Sequence, residues 1–205
     1  TLYTILKSLN NEDVNITTIE DPIEIKLEGI NQSQVNPKAD ITFASCMRAI
    51  LRQDPDIILI GEIRDFETAQ IAIEASLTGH FVFSTLHTND APGAITRLVD
   101  MGVKPFLVAT ALRAVMAQRL LRRICPECKQ PYTPTKSEIK MLRLSDEYLA
   151  NHQFYKGAGC KRCGNTGYKG RIGIYEIFQV TEDMARLIFA NESTGVIREA
   201  ARLAG

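Results

Sequence analysis

A chain of 205 residues with 24 Lys or Arg, 24 Asp or Glu and 45% apolar positions has the composition of an ordinary globular protein of one or two domains. That length can bury a core without disulfides, and no apolar run approaches the roughly 18–20 residues of a membrane span. The opening Thr1-Leu2-Tyr3-Thr4 is too polar for a signal peptide, so the expected address is the cytosol.

The zero net charge conceals an uneven distribution. Residues 1–90 carry 14 acids and 6 bases, net −8, and residues 91–205 carry 10 acids and 18 bases, net +8. Two solvated faces of opposite sign account for this as well as a carboxylate-rich, cation-using site beside a basic interaction surface does. Nucleic acid is not an expected partner, because the basic residues lack interleaved aromatics and the chain has no Trp.

In chain order, the β-branched run Val14–Ile19 reads as a strand. From Thr42, a plausible N-cap, to Arg52 the residues Phe43, Met47, Ile50 and Leu51 recur with helical spacing. Ile57–Ile60 is apolar throughout, as in a buried parallel strand. Glu67–Thr78 returns to helix, with Gly79 placed to end it, and His80–Leu86 is the next strand. This alternation predicts an α/β fold with a parallel sheet covered by helices. Beyond it, Ala91–Asp100 and Pro105–Leu121 read as helices. Residues 122–171 are rich in Cys, Pro, Gly, Lys and Arg and form a separate small unit with a helix around Lys136–Ala150. Ile172–Phe178 reads as a strand after a Gly-rich turn at 167–171, and Glu182–Ala190 and Gly195–Leu203 read as closing helices.

Three strands run into residues that a core does not favour: Glu20, Asp21 and Glu24 after the first, Gly61, Glu62, Arg64 and Asp65 after the second, and His87 after the third. In an open parallel sheet ligands bind at the carboxyl ends of the strands. The chemistry that uses such a set is phosphoryl transfer with Mg²⁺. One carboxylate holds the cation through its waters while a second orients or deprotonates the attacking water, and a histidine on a neighbouring strand hydrogen-bonds the terminal phosphate. Taken singly, each acid reads equally as a loop carboxylate or helix cap, and His87 as a satisfied polar core residue. Arg48, Arg52 and Arg64 either reach a neighbouring subunit's phosphate or pair on the surface with Asp54, Asp56 and Glu67.

With these residues in view the chain resembles the type II secretion and type IV pilus ATPases. Thr17-Thr18-Ile19-Glu20-Asp21-Pro22-Ile23-Glu24 looks like their aspartate box and Ile57–Asp65 like their Walker B segment. Thr78–His80 and Thr85–Asp90 look like their histidine box, with His80 and His87 seven residues apart as in that family. The resemblance spans essentially the whole chain. It implies a RecA-like P-loop NTPase core over residues 1–121, a tetracysteine subdomain over 122–171 and a C-terminal strand and helices over 172–205. It further implies ATP and Mg²⁺ as cofactors and Glu20, Glu24, Glu62 and His87 as the catalytic set, with Glu62 and His87 also holding the cofactor. The assembly implied is a homo-hexamer at the cytoplasmic face of the bacterial inner membrane. The family's phosphate-binding loop, GxxxxGK[ST], lies just ahead of the stretch that Thr1-Leu2-Tyr3 resembles and occurs nowhere in this chain. The chain therefore reads as a piece cut at both ends and is expected to be inactive alone, since that loop cradles the phosphates.

Cys125-Pro126-Glu127-Cys128 and Cys160-Lys161-Arg162-Cys163 form two C-x2-C knuckles separated by 31 residues. Two residues between cysteines let both sulfurs face one ion, and two knuckles complete a thiolate tetrahedron. Structural Zn²⁺ is expected, with iron the main competitor. Arg122, Arg123, Lys129, Lys161 and Arg162 flank a site whose formal charge is −2, and Gly164 follows the second knuckle where backbone N–H groups can turn toward sulfur. His152 is a spare ligand at most, and Cys46 reads as packed core. Within the resemblance, the tetracysteine unit marks the pilus-assembly and type II secretion branch. It implies an inner-membrane platform protein and other secretion or pilus components as partners. The alternative from another class is a non-catalytic zinc-stabilised interaction module docking on a membrane secretion complex.

Overall fold

The computed structural model describes residues 1–204. They divide into two compact units: Thr1–Ala117 with the segment from Glu176 onward, and Gln118–Tyr175. In chain order the elements are α1 (Leu2–Leu9), β1 (Ile16–Glu20), β2 (Asn31–Gln34), α2 (Phe43–Ile50), β3 (Ile57–Ile60), α3 (Phe66–Leu77), β4 (Phe81–Ser84), α4 (Ala91–Asp100), α5 (Pro105–Ala111), β5 (Ala114–Ile124), β6 (Lys129–Tyr132), α6 (Lys136–Leu142), α7 (Asp146–Asn151), β7 (Phe154–Gly157), β8 (Tyr168–Gln179), α8 (Glu182–Phe189) and α9 (Thr194–Ala204).

The first unit is built on a parallel sheet of order β2-β1-β3-β4. Ile19 pairs with Ile60 and Ile60 with Ser84, so the carboxyl ends of β1, β3 and β4 are level with one another. Strand β3 is apolar at every position because both of its faces are covered. Ile58 and Ile60 join Met47, Ile50, Ala69 and Ala72 in one buried cluster, whereas Ile57 and Leu59 join Leu6, Ile16, Leu27 and Ile30 in another. Alternating side chains along a strand point to opposite faces, so a double-sided core demands an unbroken apolar run. Each side chain fully buried there contributes roughly 1.5–3 kcal/mol.

The helices begin and end where local chemistry dictates. Thr42 and Ser45 form a reciprocal capping box at α2, Asp65 accepts the Thr68 N–H at α3, and Gly79 leaves α3 with φ +109°. The expected α/β architecture with a parallel sheet is present.

Three expectations are corrected, and four elements are unanticipated. The helix read over 105–121 stops at Ala111, where Leu112 turns extended (φ −72°, ψ 127°). From Ala114 to Ala117 exposure alternates residue by residue, and the segment becomes β5, paired with β8. A partner strand overrides the helical propensity of that stretch. The single helix around 136–150 is two, parted at left-handed Arg143, with Ser145 capping α7. The turn read over 167–171 lies mostly within β8, with Gly167 and Gly170 at positive φ. Finally α1, β2, β6 and β7 carry no expectation at all. Strand β2 (Asn-Gln-Ser-Gln) has no apolar residue by which to find it.

The second unit holds the antiparallel pair β6–β7, with α6 and α7 between them in sequence, and the larger parts of β5 and β8. Cys125 is its only buried apolar side chain among the described residues.

Candidate functional site

Beyond the sheet, the segments that follow β3 and β4 remain tied to each other and to the end of β1. The Gly61 N–H donates to Ile19 O at 2.7 Å, the Ile63 N–H donates to Thr85 O at 3.0 Å, and the Thr85 hydroxyl donates to Gly61 O at 2.6 Å. A Cβ at position 61 would stand 3.2 Å from Ile19 O and 3.3 Å from Glu20 Cα. Contacts that tight, both to backbone atoms, leave little room for a side chain at position 61.

The next side chain, Glu62, receives a partner on each oxygen. Arg64 pairs with Oε1 at 2.5 Å and His87 Nε2 meets Oε2 at 3.2 Å. An ionised carboxylate only accepts, so the hydrogen bond requires the proton on His87 Nε2. The Arg64 hydrogen bond, with a further contribution from His87, holds the Glu62 carboxyl below the usual carboxylate range against the opposing effect of burial. Arg64 is in turn stabilised in its charged form by Glu62 and by the field of Asp21 from the loop after β1. The Glu62 side chain is 13% exposed and His87 85%, so an anchored acid stands beneath an imidazole open to solvent.

Glu20 has the opposite character. Its residue is only 4% exposed, and its carboxylate accepts from the Thr18 hydroxyl (2.5 Å), from Gln32 Nε2 (3.0 Å) and from the Tyr3 hydroxyl. Burial, and then the Glu20 carboxylate, push the Tyr3 hydroxyl above its ordinary value of 10.0, so it stays a donor. Glu24 is exposed, and its backbone N–H donates to Tyr3 Oη at 3.1 Å. The structure thus brings Glu62 and His87 into contact and links Glu20 to the Glu24 backbone through Tyr3. Tyr3 and Gln32 escape a sequence reading because one lies on an unanticipated helix and the other on an all-polar strand. Arg48 pairs with Glu67, one of the surface pairings expected.

The histidine segment leads into α4, whose first turn is held by carboxylates. Asp90 accepts the Gly93 N–H (2.9 Å) and pairs with Arg198, while Glu176 accepts the Ala91 N–H (2.9 Å). Negative groups at a helix N-terminus complement its dipole.

In the second unit, Cys125, Cys128, Cys160 and Cys163 place all four sulfurs within 4.8 Å of one another. The separations Cys125–Cys160, Cys128–Cys163 and Cys160–Cys163 are 3.8, 3.9 and 3.7 Å. These are far too long for disulfides. They match the edge of about 3.8 Å expected of a tetrahedron with Zn–S bonds of ~2.3 Å. Burial raises the Cys163 thiol, yet N–H groups of Cys160 (3.2 Å) and Gly167 (3.3 Å) aimed at its sulfur outweigh that and bring it down to about 6. At Cys128 burial dominates and pushes the thiol up to about 11. The glycine that turns an N–H toward sulfur is therefore Gly167. Gly164, at φ +60°, donates to Lys161 O instead. Three of the five flanking cations have their own partners: Arg122 lies over Tyr168, Lys129 over Tyr155, and Arg162 pairs with Glu127. His152 stacks on Tyr148 and is not among the clustered ligands. Cys46 packs against the main core, as expected.

Parallel strands closed by helices, with acids and a histidine at adjacent strand ends, define an α/β unit, and the second unit carries four clustered sulfurs able to hold a metal ion. Comparison with known proteins agrees. The profile of the type II/IV secretion system protein family matches residues 1–205, and the chain belongs to that family. It is 53% identical over its full length to the type IV pilus assembly ATPase PilB of Thermus thermophilus, of which it covers 23%. It is also 53% identical over 193 residues to the type II secretion system protein E of Dickeya dadantii, covering 94% of this chain and 38% of that one. Among solved structures, the pilus retraction motor PilT with bound ADP superposes with a TM-score of 0.70 at 28% identity, over all of this chain and 49% of that one. The Legionella pneumophila ATPase DotB, at 24% identity and a TM-score of 0.61, shares the fold. The chain spans well under half the length of the curated relatives it matches.

Proposed function

We propose that the full-length protein hydrolyses ATP to drive pilus assembly or type II secretion. In this reading it acts as a homo-hexamer on the cytoplasmic face of the inner membrane, against an inner-membrane platform protein. The support is the relatives' activity together with one observation: an ionised Glu62, paired by Arg64 and His87, stands at the level carboxyl ends of adjacent parallel strands. The Glu62 carboxylate is the hard-oxygen donor that a hydrated Mg²⁺ takes, and it would become available to the cation's waters as Arg64 or His87 gives up its oxygen. When bound, the cation supplies charge neutralisation for the phosphates. Glu62 would hold it through water, Glu20 or Glu24 would orient the attacking water, and His87, on leaving Glu62, would donate its Nε2–H to the terminal phosphate.

The tetracysteine cluster is assigned as structural Zn²⁺, because four thiolates leave no open position for chemistry. The alternative, a non-catalytic zinc-stabilised docking module, draws on the near absence of buried apolar side chains in the second unit. An upstream reading frame containing GxxxxGK[ST] favours the motor, and a start codon opening this chain favours the module. The direct test is steady-state ATP turnover by the full-length protein. Glu62→Gln should lower kcat by about a hundredfold or more. Wild-type turnover in that variant would exclude the assignment.

A further inference from the structure

The loop of residues 21–27 carries Glu24 and has no regular secondary structure, yet side chains from α1 and β2 grip its backbone at four places. The Ile23 N–H donates to Gln34 Oε1 (3.3 Å) and the Glu24 N–H to Tyr3 Oη (3.1 Å). Ile25 O accepts from Gln32 Nε2 (3.0 Å), and the Leu27 N–H donates to Gln32 Oε1 (2.7 Å). Two of these grips converge on one buried group. The Tyr3 hydroxyl and the Gln32 amide both donate to the Glu20 carboxylate, where Thr18 donates as well.

A general base needs a lone pair that a water can reach. Glu20 is 4% exposed and has three donors on its two oxygens. Glu24, in the same motif, is exposed. Tyr3 can give its proton only once. Because it gives it to Glu20, its oxygen is left to accept the Glu24 N–H, and the orientation of the whole set follows from the buried acid.

We propose that Glu20, Tyr3 and Gln32 are positioning residues for ATP hydrolysis, forming a buried anchor that fixes the aspartate-box loop and so sets where the Glu24 carboxylate meets the attacking water. The proposal rests on the ATPase reading above and assigns its two candidate acids: Glu24 reacts, and Glu20 acts through Tyr3 and Gln32.

The experiment compares kcat and KM for ATP, with nucleotide affinity, in the full-length protein carrying Glu24→Gln, Glu20→Gln, Glu20→Ala, Tyr3→Phe or Gln32→Leu. Glu24→Gln should lose about a hundredfold or more in kcat. Tyr3→Phe and Gln32→Leu should lose about tenfold in kcat with KM within about twofold of wild type, since a displaced loop misplaces the base without touching nucleotide. Glu20→Gln keeps an acceptor for Tyr3 and should recover most of what Glu20→Ala loses. Glu20→Gln as inactive as Glu24→Gln, or Tyr3→Phe and Gln32→Leu both at the wild-type kcat, would overturn the positioning role and leave the ATPase reading intact. Wild-type turnover in Glu24→Gln would remove the aspartate-box reading, and the proposal with it.

Discussion

The two units of this chain are held together by different physics. The first hides apolar side chains on both faces of a parallel sheet, with Ile58 and Ile60 on one side and Ile57 and Leu59 on the other. The second, Gln118–Tyr175, buries one apolar side chain, Cys125, and that residue is itself one of the four clustered cysteines. A unit that lacks the area for a hydrophobic core needs another source of stability, and on the reading proposed above metal ligation by the four cysteines would supply it, because the free energy of binding a structural metal is folding free energy. The contrast teaches that cooperative unfolding of this chain as one body is not expected.

Metal removal should separate the two units most sharply. Chelation of the full-length protein, or Cys125→Ser, should release hydrogen-exchange protection in β6 and β7 while β3 keeps its own. Retained protection in β6 and β7 without metal would break the comparison. Metal analysis of the same sample distinguishes zinc from iron.

The converse perturbation is smaller. Ile58→Ala should destabilise the first unit by about 2–5 kcal/mol, read from its denaturation midpoint, because it opens a cavity in the double-sided core. Exchange in β6 and β7 should not change.

A pH series sharpens the account of Glu62. Its carboxyl is held below the ordinary value of 4.5, chiefly by Arg64, so the native state favours the ionised form. The resulting stabilisation is fully present above that ordinary value and is lost as pH falls through the lowered native value. The stability gap between wild type and Glu62→Gln, measured by denaturation at successive pH values, should therefore narrow toward acid. A gap independent of pH would mean that Arg64 and His87 do not act on the charge. Smallest of all, the exposed Arg48–Glu67 pair should show a coupling of ~0.5 kcal/mol or less in a double-mutant cycle, vanishing in salt.

How legible the molecule is from its sequence follows the same division. Strand β3 is readable because a double-sided core forces four consecutive apolar residues, α2 because Thr42 stands at its cap, and α3 because Gly79 ends it. The two knuckles are readable because ligand spacing is local geometry. Strand β2 is not, since Asn31-Gln32-Ser33-Gln34 serves as a set of hydrogen-bonding arms and has no apolar face to show. Residues 114–121 mislead because Ala, Met and Leu favour helix, and only pairing with β8 makes them a strand. Glu62 and His87 stand out as polar residues after apolar runs. Their contact with each other, and the links among Glu20, Tyr3 and Glu24, depend on strand order, which no local pattern encodes.

The central claim is that the acids after β1 and β3 serve a single reaction. The most direct measurement is kcat for ATP in the full-length protein with Glu24→Gln, Glu62→Gln and both together. Residues that act as a unit are grossly non-additive, so the double variant should be about as slow as the slower single one. Losses that multiply would show that the two carboxylates act independently of each other and contradict the account.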